Sequence, residues 1–182
     1  KKKITIDSDL VDGSAALTHF PILVKIADAT YLSTANVGDD GEGIRFTSDG
    51  TTLLDFEIDY YDGDSTDGTV HAWVKIPSLS HNTDTTIYIH YGQDTAQSDA
   101  AGVANNVWAE SGQSQSYVVV QHLDGTPDAD MTNKEQIGSI SGSSDDFNTQ
   151  NMDSSNLVDG VIGKALDFNE GSTHNEQICL EN

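Results

Sequence analysis

At 182 residues the chain is long enough to bury one good core and to begin a second domain. Thirty acidic residues against eight basic ones give a formal net charge of −22, which argues against nucleic acid or an anionic membrane surface as partner, because both would be repelled. A single cysteine, Cys179, excludes an intrachain disulfide, and no apolar run approaches the roughly 20 residues that would insert directly into a membrane.

In chain order, Lys1-Lys2-Lys3 leads straight into ITID, a first strand with no apolar leader ahead of it, and reads as a mature or trimmed terminus. FPILVKIA follows as a strand, with Ile22, Val24 and Ile26 on one face and Leu23 and Lys25 on the other. YLSTAN makes a helical turn at most, GDDGEG a loop and GIRFT a strand, and SDGTT is an Asp-Gly turn of the hairpin kind. LLDFEIDYY alternates Phe56, Ile58 and Tyr60 against Glu57, Asp59 and Tyr61.

The strongest pattern lies between His71 and Gly92, where strands over 70–76 and 85–91 flank a Pro/Ser/Asn-rich loop. Val70, Ala72, Val74 and Ile76 share one face of the first strand, and Thr85, Ile87, Ile89 and Tyr91 one face of the second. The pattern predicts an antiparallel hairpin with Ile76 beside Thr85, Trp73 facing Tyr88 and His71 facing His90. Frequent strands with turn signals between them indicate an all-β fold, an antiparallel jelly-roll-like β-sandwich. Composition becomes small and polar after Gly92, so residues 1–103 are read as one module and 104–182 as the start of another.

Three groups of residues could carry chemistry. The first is acidic loops: Asp62, Asp64 and Asp67, then Asp39, Asp40 and Glu42, then Asp124, Asp128 and Asp130. Closely spaced carboxylates on glycine-permitted turns can supply the oxygens that calcium requires, although solvated turns have the same composition. The spacing is not that of an EF-hand, in which Trp73 would occupy the glutamate position. The second group is the outer face of the expected hairpin, where Trp73 and Tyr88 would stack on a sugar ring and His71, His90 and Lys75 would bond its hydroxyls. The plainer alternative is that these aromatics anchor packing. Third, Glu57 and Asp59, two apart on one strand, have the spacing of a glycosidase carboxylate pair.

Arg45 is expected to pair with Asp40, Glu42 or Glu57, and His122 to be a hydrogen-bonded core histidine. Cys179 has no neighbouring base in sequence. Nucleophile-elbow, zinc-helix and phosphate-loop motifs are missing, so no enzymatic activity is expected.

THFPILVKI, GEGIRFTSDGTTLLDFEIDYYD and AWVKIPSLSHNTDTTIYIHYGQ resemble, in order, blocks of the bacterial and archaeal surface-protein family catalogued as domain-of-unknown-function family 2341, over roughly residues 1–95. VVVQHLD and GVIGKALDFNEG resemble parts of a laminin-G-like, concanavalin-A-like domain that often follows it. The resemblance implies a secreted or cell-surface protein of two sandwich modules and brings no catalytic residues with it. The expectation is a non-catalytic extracellular module for adhesion, carbohydrate recognition or surface assembly, with surface glycans or neighbouring subunits as partners and calcium as stabiliser. Because a laminin-G-like fold would continue past Asn182, strands from outside this sequence are expected to complete residues 117–182. They would come from further along the polypeptide, or from a neighbour in a filament or surface layer built by strand exchange.

Overall fold

The computed structural model describes residues 1–92, 104–108, 147–150, 154–161, 164–168 and 177–180. The chain divides into two compact units, Lys1–Val107 and Trp108–Asn182. In the first unit the β-branched and aromatic segments form β1 (Lys2–Ile6), β2 (Leu17–Ala29), β3 (Arg45–Thr47), β4 (Phe56–Gly63), β5 (Gly68–Leu79) and β6 (Thr85–His90). They build two three-stranded antiparallel sheets, ordered β1-β6-β3 and β2-β5-β4. This is the all-β sandwich that the alternation predicts.

The core fills the space between the sheets. Val70, Ala72, Val74 and Ile76 enter it from β5, Ile87 and Ile89 from β6 and Phe46 from β3, each no more than 1% exposed. Phe46 meets Phe56 of the other sheet edge-on at 5.3 Å, the arrangement aromatic quadrupoles favour. Burying each of these large side chains stabilises the fold by about 1.5–3 kcal/mol before chain entropy is counted. A short helix, α1 (Thr34–Val37), and the 3₁₀ turn Thr30–Leu32 before it close one end, placing Leu32 and Val37 fully inside. Gly68 opens β5 hard against this turn: a Cβ there would run into the Leu32 carbonyl.

The predicted hairpin does not form. β5 pairs with β2 and β4, whereas β6 pairs with β1 and β3, so consecutive strands lie in opposite sheets. The apolar rows point inward as read. A strand with one apolar face can bury it beside its neighbour in one sheet or opposite it across a core, and period two is the same in both cases.

A second correction concerns β4. Its register with β5 runs Ile58↔Ala72 and then Tyr60↔His71, so Asp59 is an extra residue opposite no partner, a β-bulge. One inserted residue exchanges the faces of everything after it. Tyr60 therefore joins the outer side against His71, and Tyr61, opposite Val70, turns to the core and donates its hydroxyl to the Leu32 carbonyl at 2.6 Å.

A short helix, α2 (Ala104–Trp108), crosses the division between the units. In the second unit β7 (Phe147–Gln150) pairs with β10 (Gln177–Leu180), and β8 (Leu157–Asp159) with β9 (Lys164–Leu166), all antiparallel. Lys164 salt-bridges Asp159 across the β8–β9 turn at 2.5 Å. Lys164–Leu166 is thus a strand as read, yet Leu166 is buried while Phe168 is 44% exposed, so the two do not form one buried face. VVVQHLD and its His122 lie outside the described residues.

Candidate functional site

The five residues read as one ligand platform divide between the two outer faces of the sandwich. His71, Trp73 and Lys75 lie on β5, and Tyr88 and His90 on β6, with the core between them. Trp73 therefore does not face Tyr88, nor His71 His90. On the outer face of β2-β5-β4, registration makes successive cross-strand rows: Lys25–His71–Tyr60, Leu23–Trp73–Glu57 and Pro21–Lys75.

The first two rows form a surface of aromatic and charged groups. The His71 ring lies against Tyr60 with centroids 5.1 Å apart and planes tilted by 38°. Partial burial, helped by the Lys25 charge, pushes the His71 pKa below its ordinary value, while Asp59 pulls the other way. The imidazole is therefore neutral at physiological pH. Its Nδ1 is buried with no hydrogen-bond partner among the described residues. Trp73 is half-buried beside this pair.

Lys75 does not belong to that surface. It is only 6% exposed, and its ammonium donates to the Asn106 carbonyl of α2 at 2.7 Å. A lysine on the polar face of an alternating strand reads as solvent-facing, and nothing in its sequence neighbourhood signals a helix 31 residues later lying over it. Tyr60 is the residue that sequence reasoning missed, because the bulge that turns it outward has no signature in the alternation.

On the opposite outer face, β6 places Tyr88 between Lys3 and Thr47 and places His90 beside Arg45. His90 Nε2 lies 3.0 Å from the Thr47 hydroxyl. Burial, then the Lys1 side chain and the terminal ammonium, depress the His90 pKa. Arg45 Nη1 donates to the main-chain carbonyls of Glu42 and Ile44, both at 2.6 Å, rather than serving only the acids around it.

The acidic loops use their carboxylates locally. Asp64 accepts from the Thr66 amide and hydroxyl at 2.6 Å and from the Asp67 amide at 3.1 Å, closing the β4–β5 turn, and these bonds lower its pKa. Asp62 accepts instead from the Tyr60 hydroxyl. Glu42 accepts from the Asp40 amide at 3.1 Å and lies over Gly38, whose φ of +82° suits glycine and whose missing Cβ leaves room for the carboxylate. Asp49, outside the candidate clusters, accepts from the amides and hydroxyls of both Thr51 and Thr52, which hold its carboxyl well below the usual range. Among the described residues no three His, Cys, Asp or Glu side chains converge as metal ligands. Asp124, Asp128 and Asp130 lie outside the described residues.

Glu57 and Asp59 do not keep the simple spacing of a carboxylate pair, because the bulge falls between them: Glu57 registers with Trp73 and Asp59 with nothing. Cys179 stands in β10 opposite Asn148.

These features define an all-β antiparallel sandwich with two chemically different outer sheet faces. The model of the family described as a domain of unknown function (DUF2341) matches residues 40–157, well over half of the chain, and the chain belongs to that family. The match contains the GEGIRFTSDGTTLLDFEIDYYD and AWVKIPSLSHNTDTTIYIHYGQ blocks and starts after THFPILVKI; it also runs across the division at Val107 rather than ending near residue 95. No curated protein and no solved structure matches the chain.

Proposed function

We propose that the chain is a non-catalytic, extracellular β-sandwich module that recognises carbohydrate through the outer face of β2-β5-β4. The observation that supports this is the side-by-side placement of Trp73 and the His71–Tyr60 pair, rings 5.1 Å apart, with Lys25 and Glu57 in register on either side. Sugars present apolar C–H faces that stack on aromatic rings, and hydroxyls that need donors and acceptors at the rim. The neutral His71 nitrogen and the flanking charges supply both.

Secreted or cell-surface placement follows from the surface-protein character that the family resemblance implies. A laminin-G-like continuation in the second unit draws on the same resemblance, and on Lys164–Leu166 forming β9.

A glycan array probed with the full chain tests the binding, alongside sedimentation across a concentration series. Saturable binding of particular neutral glycans by a monomer, weakened at least about tenfold (about 1.4 kcal/mol) in Trp73→Ala, is the expected outcome. Unchanged binding in that variant, or large assemblies with no glycan bound, overturns it.

A further inference from the structure

The outer face of the β1-β6-β3 sheet departs from the charge of the rest of the molecule. Acidic residues outnumber basic ones by 30 to eight in the chain, yet none of the outward positions on these three strands is acidic. β1 turns Lys3 and Thr5 outward opposite Ile4 and Ile6, which pack on the core. β6 turns out Thr86, Tyr88 and His90 between its buried Ile87 and Ile89. Lys1 extends the first strand, its ammonium 5.3 Å from the centre of the Tyr88 ring and 3.4 Å from the Gly50 carbonyl. Arg45, in register with His90, turns its guanidinium to the Glu42 and Ile44 carbonyls and the Phe56 ring, 6.0 Å away, so Lys1 and Lys3 carry the positive charge of this face. At the margins, Asp49 has both oxygens occupied by Thr51 and Thr52, and Asp84, two residues before Thr86, accepts from the Ser8 amide and hydroxyl.

We propose that this face binds an anionic polysaccharide, a sugar chain carrying carboxylates or sulfates. The net charge of −22 does not forbid it. At physiological ionic strength, charges farther away than roughly 8 Å are largely screened, so a bound anion responds most to the charges nearest it, Lys1 and Lys3. Tyr88 supplies a ring at the centre of the patch, Thr86 a hydroxyl, and the lysines the countercharge, a set that fits a charged sugar better than an apolar partner. The face differs from the β2-β5-β4 surface in position and in ligand chemistry, so either can fail without the other.

The test uses the full 182-residue chain with dextran sulfate and polygalacturonate as probes and neutral dextran as control. Binding to at least one polyanion and not to dextran is expected, weakening about tenfold or more between roughly 50 and 300 mM salt. The double variant Lys1→Glu/Lys3→Glu should lose at least about tenfold in affinity (about 1.4 kcal/mol) with an unchanged melting temperature, and Trp73→Ala should keep full affinity. Lys3→Gln, which removes charge without reversing it, gives an intermediate loss and serves if the double variant melts early. Affinity unchanged in these lysine variants, or independent of salt, overturns the proposal, as does equal binding of neutral dextran. Self-association that disappears in the double variant, with no polyanion bound, also overturns it and assigns the face to a second copy of the chain.

Discussion

Tyr61→Phe, compared with Tyr60→Phe, is the sharpest test of the β4 bulge. The alternation of LLDFEIDYY puts Tyr60 inside and Tyr61 outside; insertion of Asp59 reverses them. Tyr61 donates to the carbonyl of Leu32, a residue with no exposed surface, and the same carbonyl is crowded by the backbone of Gly68. Removing one hydroxyl while keeping the ring leaves that acceptor without this donor, which costs about 1–2 kcal/mol. For a domain of this size that lowers the melting temperature by roughly 4–10 °C. Tyr60 donates to the exposed Asp62 carboxylate, at 3.3 Å, so its loss should cost under about 0.5 kcal/mol. Thermal melts followed by far-UV circular dichroism measure both. Equal shifts, or a larger shift for Tyr60→Phe, would refute the bulge and restore the simple alternation.

Acidification should destabilise the first unit in two steps, read as melting temperature against pH. His71 and His90 have folded pKa values below the unfolded one, so the stability tied to their neutral forms is complete above about 6.5 and is lost as pH falls through the lowered values; His71→Gln/His90→Gln should flatten that step. Asp49 and Asp64 are likewise depressed, and their turn-closing bonds should hold above about pH 4 and fail below it, a step that Asp49→Asn/Asp64→Asn should diminish. Lys75→Met removes the ammonium bonded to Asn106, with an expected loss of about 1–2 kcal/mol and faster amide hydrogen exchange over residues 104–107; unchanged exchange there would show that the bond does not hold α2 in place.

Period-two alternation identified which residues of β5 and β6 face the core, because that depends only on a strand having one buried side. It could not identify the partners of those strands. Pairing is decided by longer-range competition, here by a 13-residue β2 that matches β5 along most of its length. The ligand platform was split for the same reason: His71 and Trp73 lie on one outer face of the sandwich, and Tyr88 and His90 on the other. Acidic turns were legible as turns, since Asp-X-Thr and Asp-Gly spacings favour carboxylate-to-amide closure, whereas whether neighbouring carboxylates converge depends on backbone paths that spacing does not fix. Lys75 and Tyr60 were misjudged because one is covered by a helix distant in sequence and the other is displaced by a single inserted residue.

The edges of the sandwich bear on how the chain could assemble. An open sandwich has four edge strands, and each invites a further strand unless it is blunted. β2 carries Pro21 opposite Lys75, whose own amide points the other way, to the Asp55 carbonyl; the pair is therefore not hydrogen-bonded, and the proline ring replaces an N–H that would have faced the open edge. The same strand has left-handed backbone at His19 and Asp28, with φ of 51° and 50°, and its register slips between Ile26 and Ala29. β4 is interrupted by the Asp59 bulge and flanked by Glu57 and Asp62. β3 has only three residues and is bridged at Thr47 to Leu53, and β1 is short and carries Lys2 and Lys3. Among the described strands of the first unit, every edge thus carries a feature that discourages strand addition. If chains of this family assemble by exchanging strands, these four edges are poor acceptors for the incoming strand.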